Sequence, residues 1–299
     1  MLRQHRRDFG LPPIGLIAGW GHFPIEVARE IVRSGRSVVC IAIHGHADPQ
    51  LESICDHVLW SGVGKIGRHL RYFRNHRCQQ VAMAGKLFKS DILYQGSVVL
   101  RHLPDWAAIK TFGPLLLGRK RDARDDRLLT AVTETYDRAG LRVCPATDYA
   151  PELLVKKNFL AGPRINPRVW SDIGFGVQVA KTMGGFDIGQ TVAIKDGTVI
   201  AVEAIEGTDA CIQRCGELCR RGGWVLVKMS KPNQDMRFDV PTIGPQTLEK
   251  VSQSGGIAIA IESNLTIVVQ REETMRLAKR LGVAIVAVDV DAVMQSRAA

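Results

Sequence analysis

The amino-acid sequence predicts an α/β protein built from two domains, and three observations lead there. Short apolar runs alternate with stretches of helical periodicity through the first half of the chain. The 299 residues amount to two domains at roughly 150 residues each. Hydrophobic residues make up 45% and charged residues 23%, the balance of a packed globular protein rather than a disordered or fibrous one.

Residues 1–13, MLRQHRRDFGLPP, read as a disordered basic leader, with neither an apolar core of signal-peptide length nor a small-residue cleavage pattern. The runs IGLIA (14–18), VVCIAI (38–43), HVLW (57–60) and QVAMAG (80–85) are strands, and Pro24 to Val32 and Ile66 to Phe73 are amphipathic helices between them. Strand and helix in alternation build a mostly parallel sheet with helices on its faces, a Rossmann-like domain in outline. A helix from Asp125 to Ala139, with Leu128, Leu129, Val132 and Tyr136 on one face, and the strand LRVCPA (141–146) complete a nucleotide- or phosphate-binding domain over 14–150. Proline, glycine, asparagine and clustered bases with weak periodicity mark 151–168 as a linker.

Residues 169–299 form the second domain, read as the catalytic one. It opens with a helix from Val169 to Lys181, followed by two strands joined by Asp196-Gly197, a strong hairpin signal. A helix from Asp209 to Arg220, the strand WVLVKM (224–229), a helix from Gln246 to Ser252, and the strands GIAIAIE (256–262) and LTIVVQ (265–270) follow. A last helix and GVAIVAVDV (282–290) give an α/β domain with a mixed sheet.

No stretch approaches the ~20 apolar residues of a membrane-spanning helix. The formal charge of +10 and the pI near 9.5 call for anionic partners. Nucleic acid is not expected among them, because bases such as Arg68, Arg71 and Arg74 are spread over helices without an aromatic-interleaved platform. Seven cysteines, an odd number in a long chain, point to reduced thiols and cytoplasmic residence. Cys211, Cys215 and Cys219 share one helical stripe, where packing of small apolar side chains is preferred over a soft-metal site.

Chemistry concentrates in a few loops. In AGWGHFP (18–24) the glycines Gly19 and Gly21 let backbone amides approach a phosphate at a helix N-terminus, with His22 at the same mouth. Pro24 stands where a dinucleotide fingerprint has its third glycine, so that fingerprint is incomplete. His44 and His46 flank Gly45 and read as a polar loop rather than a metal site. In EGTDA (206–210) the Thr208 hydroxyl is placed to cap the following helix, with Asp209 in its first turn. In KPNQDMRFDVPTIG (231–244), Lys231, Asp235, Arg237 and Asp239 fall within nine residues, followed by Pro241 and a second capping threonine, Thr242.

The segments IGLIAGWGHFP, VAMAGK, DDRLL, FDIGQTV, VEAIEGTDA and KPNQDMRFDVPTIG occur in this order over nearly the whole chain. Together they resemble the LpxI family of UDP-2,3-diacylglucosamine pyrophosphatases. The resemblance implies a hydrolase of lipid A biosynthesis that uses Mg²⁺, takes UDP-2,3-diacylglucosamine and releases UMP and 2,3-diacylglucosamine 1-phosphate, with water attacking the sugar-side phosphorus. It makes Asp239 the catalytic residue, as metal ligand or general base, and offers Asp209 or Glu206 as further ligands of the ion. Asp235 matches a position that accepts either carboxylate.

On the same resemblance, Lys228, Lys231 and Arg237 clamp phosphate oxygens, with Thr208 among the substrate contacts. Gly19, Gly21, His22 and the run Ala84, Gly85, Lys86 face nucleotide or sugar phosphate at the carboxyl ends of adjacent strands. Gln190 reads uracil, ribose or an acyl amide, while Asp187 is a turn residue. Asp125 and Asp126 match paired aspartates that either contact ligand or complement a helix dipole. The sequence departs from the family pattern in its leader, at Trp20, and where Arg124 and Arg127 bracket the paired aspartates. A substrate with two acyl chains and a basic surface together imply peripheral contact with the anionic inner-membrane surface; self-association is left open. Two rivals stand beside this reading. One is an NAD-linked or other nucleotide-cofactor oxidoreductase, with Asp48 the only acidic residue near the end of the second strand. The other is a non-catalytic nucleotide or nucleic-acid binding protein using the +10 charge.

Overall fold

The structure, a computed structural model, describes residues 11–87, 102–117, 125–157, 160–232 and 234–298. Residues 1–10 of the expected leader and Arg124 lie outside the described residues, as do the side chains of Asp125 and Asp126. The chain divides into two compact units, one running to Pro151 and including Asp235–Phe238, the other comprising Glu152–Gln234 and the residues from Asp239 onward.

The first unit runs β1 (Ile14–Ala18), α1 (Phe23–Arg33), β2 (Val38–Ile43), α2 (Leu51–Ile54), β3 (His57–Ser61), α3 (Ile66–Asn75), β4 (Gln80–Ala84), α4 (Trp106–Leu117), α5 (Asp125–Arg138) and β5 (Arg142–Cys144). Its five strands lie in the order β3-β2-β1-β4-β5 and pair in parallel throughout. Every residue of VVCIAI is buried, as a central strand covered on both faces requires. Pro24 sits in the first turn of α1, where its missing N–H has no partner to lose. Ile66 and Phe73 of α3 pack with Tyr136 of α5 against Ile41, Ile43 and Val81. Within this core His69 is held between the Tyr136 hydroxyl at 3.2 Å and Ser61 Oγ at 3.1 Å, and burial pushes its pKa down to about 4. The order of strands reverses between β1 and β4, so the ends of these neighbours, Ala18 and Ala84, border a topological switch point.

The second unit runs β6 (Leu160–Ala161), α6 (Pro167–Gly185), β7 (Thr191–Lys195), β8 (Thr198–Val202), α7 (Gly207–Leu218), β9 (Trp224–Lys228), β10 (Thr242–Ile243), α8 (Pro245–Gln253), β11 (Gly256–Glu262), β12 (Ile267–Val268), α9 (Arg271–Leu281), β13 (Ala284–Val288) and α10 (Val290–Ala298). Six strands form a mixed sheet in the order β6-β13-β11-β9-β7-β8, with β9, β11 and β13 parallel and β6, β7 and β8 in antiparallel pairings. The hairpin β7–β8 turns at Asp196 and Gly197, with φ of 51° and 72°, the left-handed pair that suits strand twist. The buried Asp172 carboxylate accepts from both turn amides, at 2.9 and 2.7 Å, and tethers the hairpin to α6. One sheet face packs Cys211, Ile212 and Cys215 of α7 with Leu248 of α8 and Leu277 of α9; the other packs Ile173 and Val177 of α6.

The expected strand 265–270 shrinks to Ile267–Val268, because its partner β10 offers only Thr242–Ile243 and left-handed residues, Asn264 and Gln270, bracket the run. Within 151–168, Leu160–Ala161 joins the sheet beside β13, and Asn166 caps α6 through the amide of Val169 at 3.0 Å. Among the described residues no helix is long and apolar enough to cross a membrane.

Candidate active site

In the first unit the loops after β1 and β4 are tied together. The amide of Gly19 donates to the carbonyl of Ala84 at 2.8 Å, and Trp20 and Lys86 exchange backbone hydrogen bonds at 2.8 and 2.9 Å. A Cβ on Gly19 would lie 2.6 Å from the Lys86 carbonyl oxygen, and one on Gly85, whose φ is +92°, would lie 2.8 Å from Trp20 O. These two glycines are therefore explained by close approach of backbone to backbone. The amides of Gly19, Trp20 and Lys86 donate to backbone carbonyls within the protein. Gly21 differs: its φ is +104°, nothing lies within 4 Å of the position a Cβ would take, and it leads into His22 at the head of α1. Gly21, His22 and the exposed Lys86 side chain are thus the members of this set turned toward open space.

In the second unit, strand direction gathers the remaining residues. β7 runs antiparallel to β8 and β9, so the carboxyl ends of β8 and β9 and the amino end of β7 share one edge, joined there by the carboxyl end of β11. Thr191 stands opposite Lys228 in register, and its carbonyl accepts the Glu203 amide at 2.8 Å. Glu203, Thr191 and Lys228 therefore lie side by side across three strands, on the face that carries Ala193, Ala201 and Leu226 into the core. Glu203 is 8% exposed and Lys228 6%, which overturns the plain exposed lysine as an account of position 228. Lys228 Nζ donates to Thr208 Oγ1 at 2.8 Å, and the Thr208 hydroxyl donates to Glu203 Oε1 at 2.8 Å. Thr208 lies inside α7 and its hydroxyl serves this chain, so the capping role is replaced.

Next along the edge, Lys181 Nζ meets both carboxylate oxygens of Glu262 at 2.8 Å, and Glu262 Oε2 also accepts from the Ser230 amide at 2.8 Å and hydroxyl at 2.6 Å. This buried brace fixes the backbone immediately ahead of Lys231. Lys231 Nζ reaches Asp187 Oδ1 at 2.6 Å, so Asp187, left-handed at φ 59°, is both a turn residue and the partner of a lysine. The carbonyl of Gln190 accepts the Met229 amide at 2.9 Å, and its side chain lies 3.5 Å from Gln234 Nε2. Gln190, Thr208, Lys228 and Lys231 are thus brought to one edge.

The 231–244 loop leaves from that edge. Burial raises the Asp235 carboxyl while the Arg237 hydrogen bonds lower it, and the net result lies below the usual carboxylate range. The same pairing, with Asp235 at 2.6 to 3.0 Å from Nε and Nη2, raises Arg237 and engages much of its fork. Asp239 is half-buried, and two residues on the Pro241 carbonyl accepts the Ile267 amide at 2.8 Å as the chain enters β10. Pairing of β10 with β12 thereby anchors Asp239 from its C-terminal side. Thr242 does not cap: its hydroxyl donates to the Val240 carbonyl at 2.9 Å, and Gly244 precedes α8.

Two of the three expected metal ligands are paired with bases. Glu206 pairs with Arg214, and hydrogen bonds from its own amide and from Arg214 hold its carboxyl below the usual range. Asp209 pairs with Lys250. Among the described residues no group of three or more His, Cys, Asp or Glu is arranged to hold a metal ion. Cys211 and Cys215 are fully buried, and burial pushes their thiols up to about 11 and about 12.

The family description "LpxI N-terminal domain" matches residues 13–153, and "LpxI C-terminal domain" matches residues 156–286. The chain belongs to the LpxI family. The UDP-2,3-diacylglucosamine pyrophosphatase LpxI of Caulobacter vibrioides is 31% identical to it over 283 residues, which covers 92% of this chain and 97% of that protein.

In this LpxI-family chain, sequence reasoning passed over Glu203, Lys181, Glu262 and Ser230. Glu203 carried a signal, a carboxylate at the position where strand alternation calls for a core residue after Ala201. Lys181 and Glu262 carried none, because their 81-residue separation closes only in the folded unit.

Proposed function

We propose that this LpxI-family chain hydrolyses the diphosphate of UDP-2,3-diacylglucosamine to UMP and 2,3-diacylglucosamine 1-phosphate, in lipid A biosynthesis. One observation carries the reading: a chain similar to the Caulobacter pyrophosphatase over almost its full length gathers Gln190, Thr208, Lys228 and Lys231 at the edge from which the Asp239 loop departs. The chemistry asks for neutralised phosphate oxygens, an activated water and a held leaving group. In this reading Lys228 and Lys231 place point charges on the diphosphate. Asp239 takes a proton from the water whose oxygen bonds to the sugar-side phosphorus, and UMP departs with the bridging oxygen. Gly21, His22 and Lys86 serve the nucleotide or sugar phosphate. Mg²⁺ belongs to the proposal: Asp239 would hold the ion, which would supply charge neutralisation for the diphosphate.

The dinucleotide-cofactor alternative is not favoured, since Pro24 interrupts the glycine pattern and the Gly19 and Trp20 amides are already engaged. Cytoplasmic residence and peripheral attachment to an anionic leaflet complete the proposal, supported by the +10 charge. The test is incubation of purified protein with UDP-2,3-diacylglucosamine in H₂¹⁸O with Mg²⁺. UMP should appear with the label in the sugar phosphate, and Asp239→Asn should slow release about 100- to 10,000-fold. Wild-type protein that releases no UMP, or label found in UMP, sinks the reaction as written.

A further inference from the structure

We propose that Glu203 is a positioning residue for the pyrophosphatase site, acting on Lys228 through the hydroxyl of Thr208. The inference rests on the proposed activity and adds a residue to it. A lysine that is only 6% exposed needs an opposing charge and hydrogen-bond acceptors for its ammonium, or the ion is not retained. Glu203 supplies an opposing charge across Thr208, in a chain of two 2.8 Å hydrogen bonds.

The direction of these bonds matters. The Thr208 hydroxyl has one proton, and it goes to Glu203 Oε1, so a lone pair faces Lys228 and accepts its N–H. Without the carboxylate, the Thr208 proton loses its anionic acceptor and the bond from Lys228 to the hydroxyl loses the polarisation that the Glu203 charge gives it. Glu203 thus orients Lys228 without touching substrate.

The register secures this geometry. The Glu203 amide is bonded to Thr191 O at 2.8 Å, and a Cβ on Gly189 would lie 2.1 Å from the Glu203 carbonyl oxygen, so the backbone at 203 is gripped on both sides. Two oxygens in this row, Glu203 Oε2 and Thr191 Oγ1, are buried with no hydrogen-bond partner. A carboxylate with one oxygen committed and one unsatisfied costs stability, which is the pattern of a group kept for function rather than for folding.

The test is a double-mutant cycle on UMP release, with kcat and KM separated and folding followed by circular dichroism and thermal melting. Glu203→Gln keeps the side-chain shape and removes the charge; Thr208→Val removes the hydroxyl and Thr208→Ser keeps it. Glu203→Gln and Thr208→Val should each lower kcat/KM about 10- to 100-fold, mostly in kcat. The double variant should fall no further than the worse single one, and Thr208→Ser should stay within about threefold of wild type. Glu203→Gln within twofold of wild type, or losses that multiply in the double variant, overturns the relay while leaving the pyrophosphatase reading intact. Should Glu203→Gln fail to fold, equal activity of Thr208→Val and Thr208→Ser overturns it, and a loss confined to Thr208→Val supports it. Wild-type protein without UMP release overturns the activity and this inference with it.

Discussion

Replacing Lys181 with methionine should strip the second unit of a buried ion pair. The Lys181 side chain is 19% exposed and that of Glu262 8%, and the ammonium contacts both carboxylate oxygens at 2.8 Å. At that separation and an effective dielectric near 20 the gross attraction is about 6 kcal/mol, opposed by several kcal/mol of desolvation for each ion. The loss on truncation is set mainly by what stays behind. Glu262 would keep only the Ser230 amide and hydroxyl, a buried carboxylate without a cation. Lys181→Met should therefore cost about 3 to 5 kcal/mol, and the double variant Lys181→Met, Glu262→Leu should recover much of that because no charge remains buried. Urea unfolding followed at the fully buried Trp224 reads both. A single variant within about 1 kcal/mol of wild type, or a double variant as unstable as the single, refutes the reasoning.

Other outcomes follow from the same physics. His69 is buried neutral with its pKa lowered to about 4 from 6.5, so the unfolded chain binds its proton first as pH falls. The stability of the first unit should decline from pH 6.5 to 4 by about 3 kcal/mol more in wild type than in His69→Gln, and superimposable pH profiles would exclude the effect. Gly85→Ala should cost about 3 kcal/mol or more, because the new Cβ meets backbone at 2.8 Å as well as a left-handed φ, whereas Gly21→Ala meets nothing and should cost about 1 kcal/mol. Equal melting temperatures for the two variants would contradict that contrast. The protein should sediment with anionic vesicles and not with neutral ones, and release as salt rises from about 0.1 to about 0.5 M; retention at high salt argues against an electrostatic attachment.

The Asp239 region shows how far local patterning reaches. The charged loop was legible as a loop, since prolines and clustered charges interrupt any periodicity between Lys231 and Gly244. Its anchoring was not, because a strand of two residues, Thr242–Ile243, forms only where Ile267–Val268 lies alongside. For the same reason LTIVVQ reads as a full strand from its β-branched residues yet pairs over two positions only. The helix Trp106–Leu117 and the strand Leu160–Ala161 left too weak a periodicity to be read.

Taken alone, the sequence determined the layered α/β architecture and the principal strands, with IGLIA, VVCIAI and GIAIAIE matching the observed strands residue for residue. That information is local: buried strands are continuous apolar runs, and helices repeat near 3.6 residues. It also marked Lys228, Thr208 and Lys231 as candidates by their place in motifs. Only the tertiary structure decided what each one does. It gave Glu206 to Arg214 and Asp209 to Lys250, and it spent the Gly19 amide on Ala84. It set Glu203 beside Lys228 because three antiparallel strands share a register. Hydrogen-bond partnership depends on distances between residues far apart in the chain, and those are fixed only when the sheet closes.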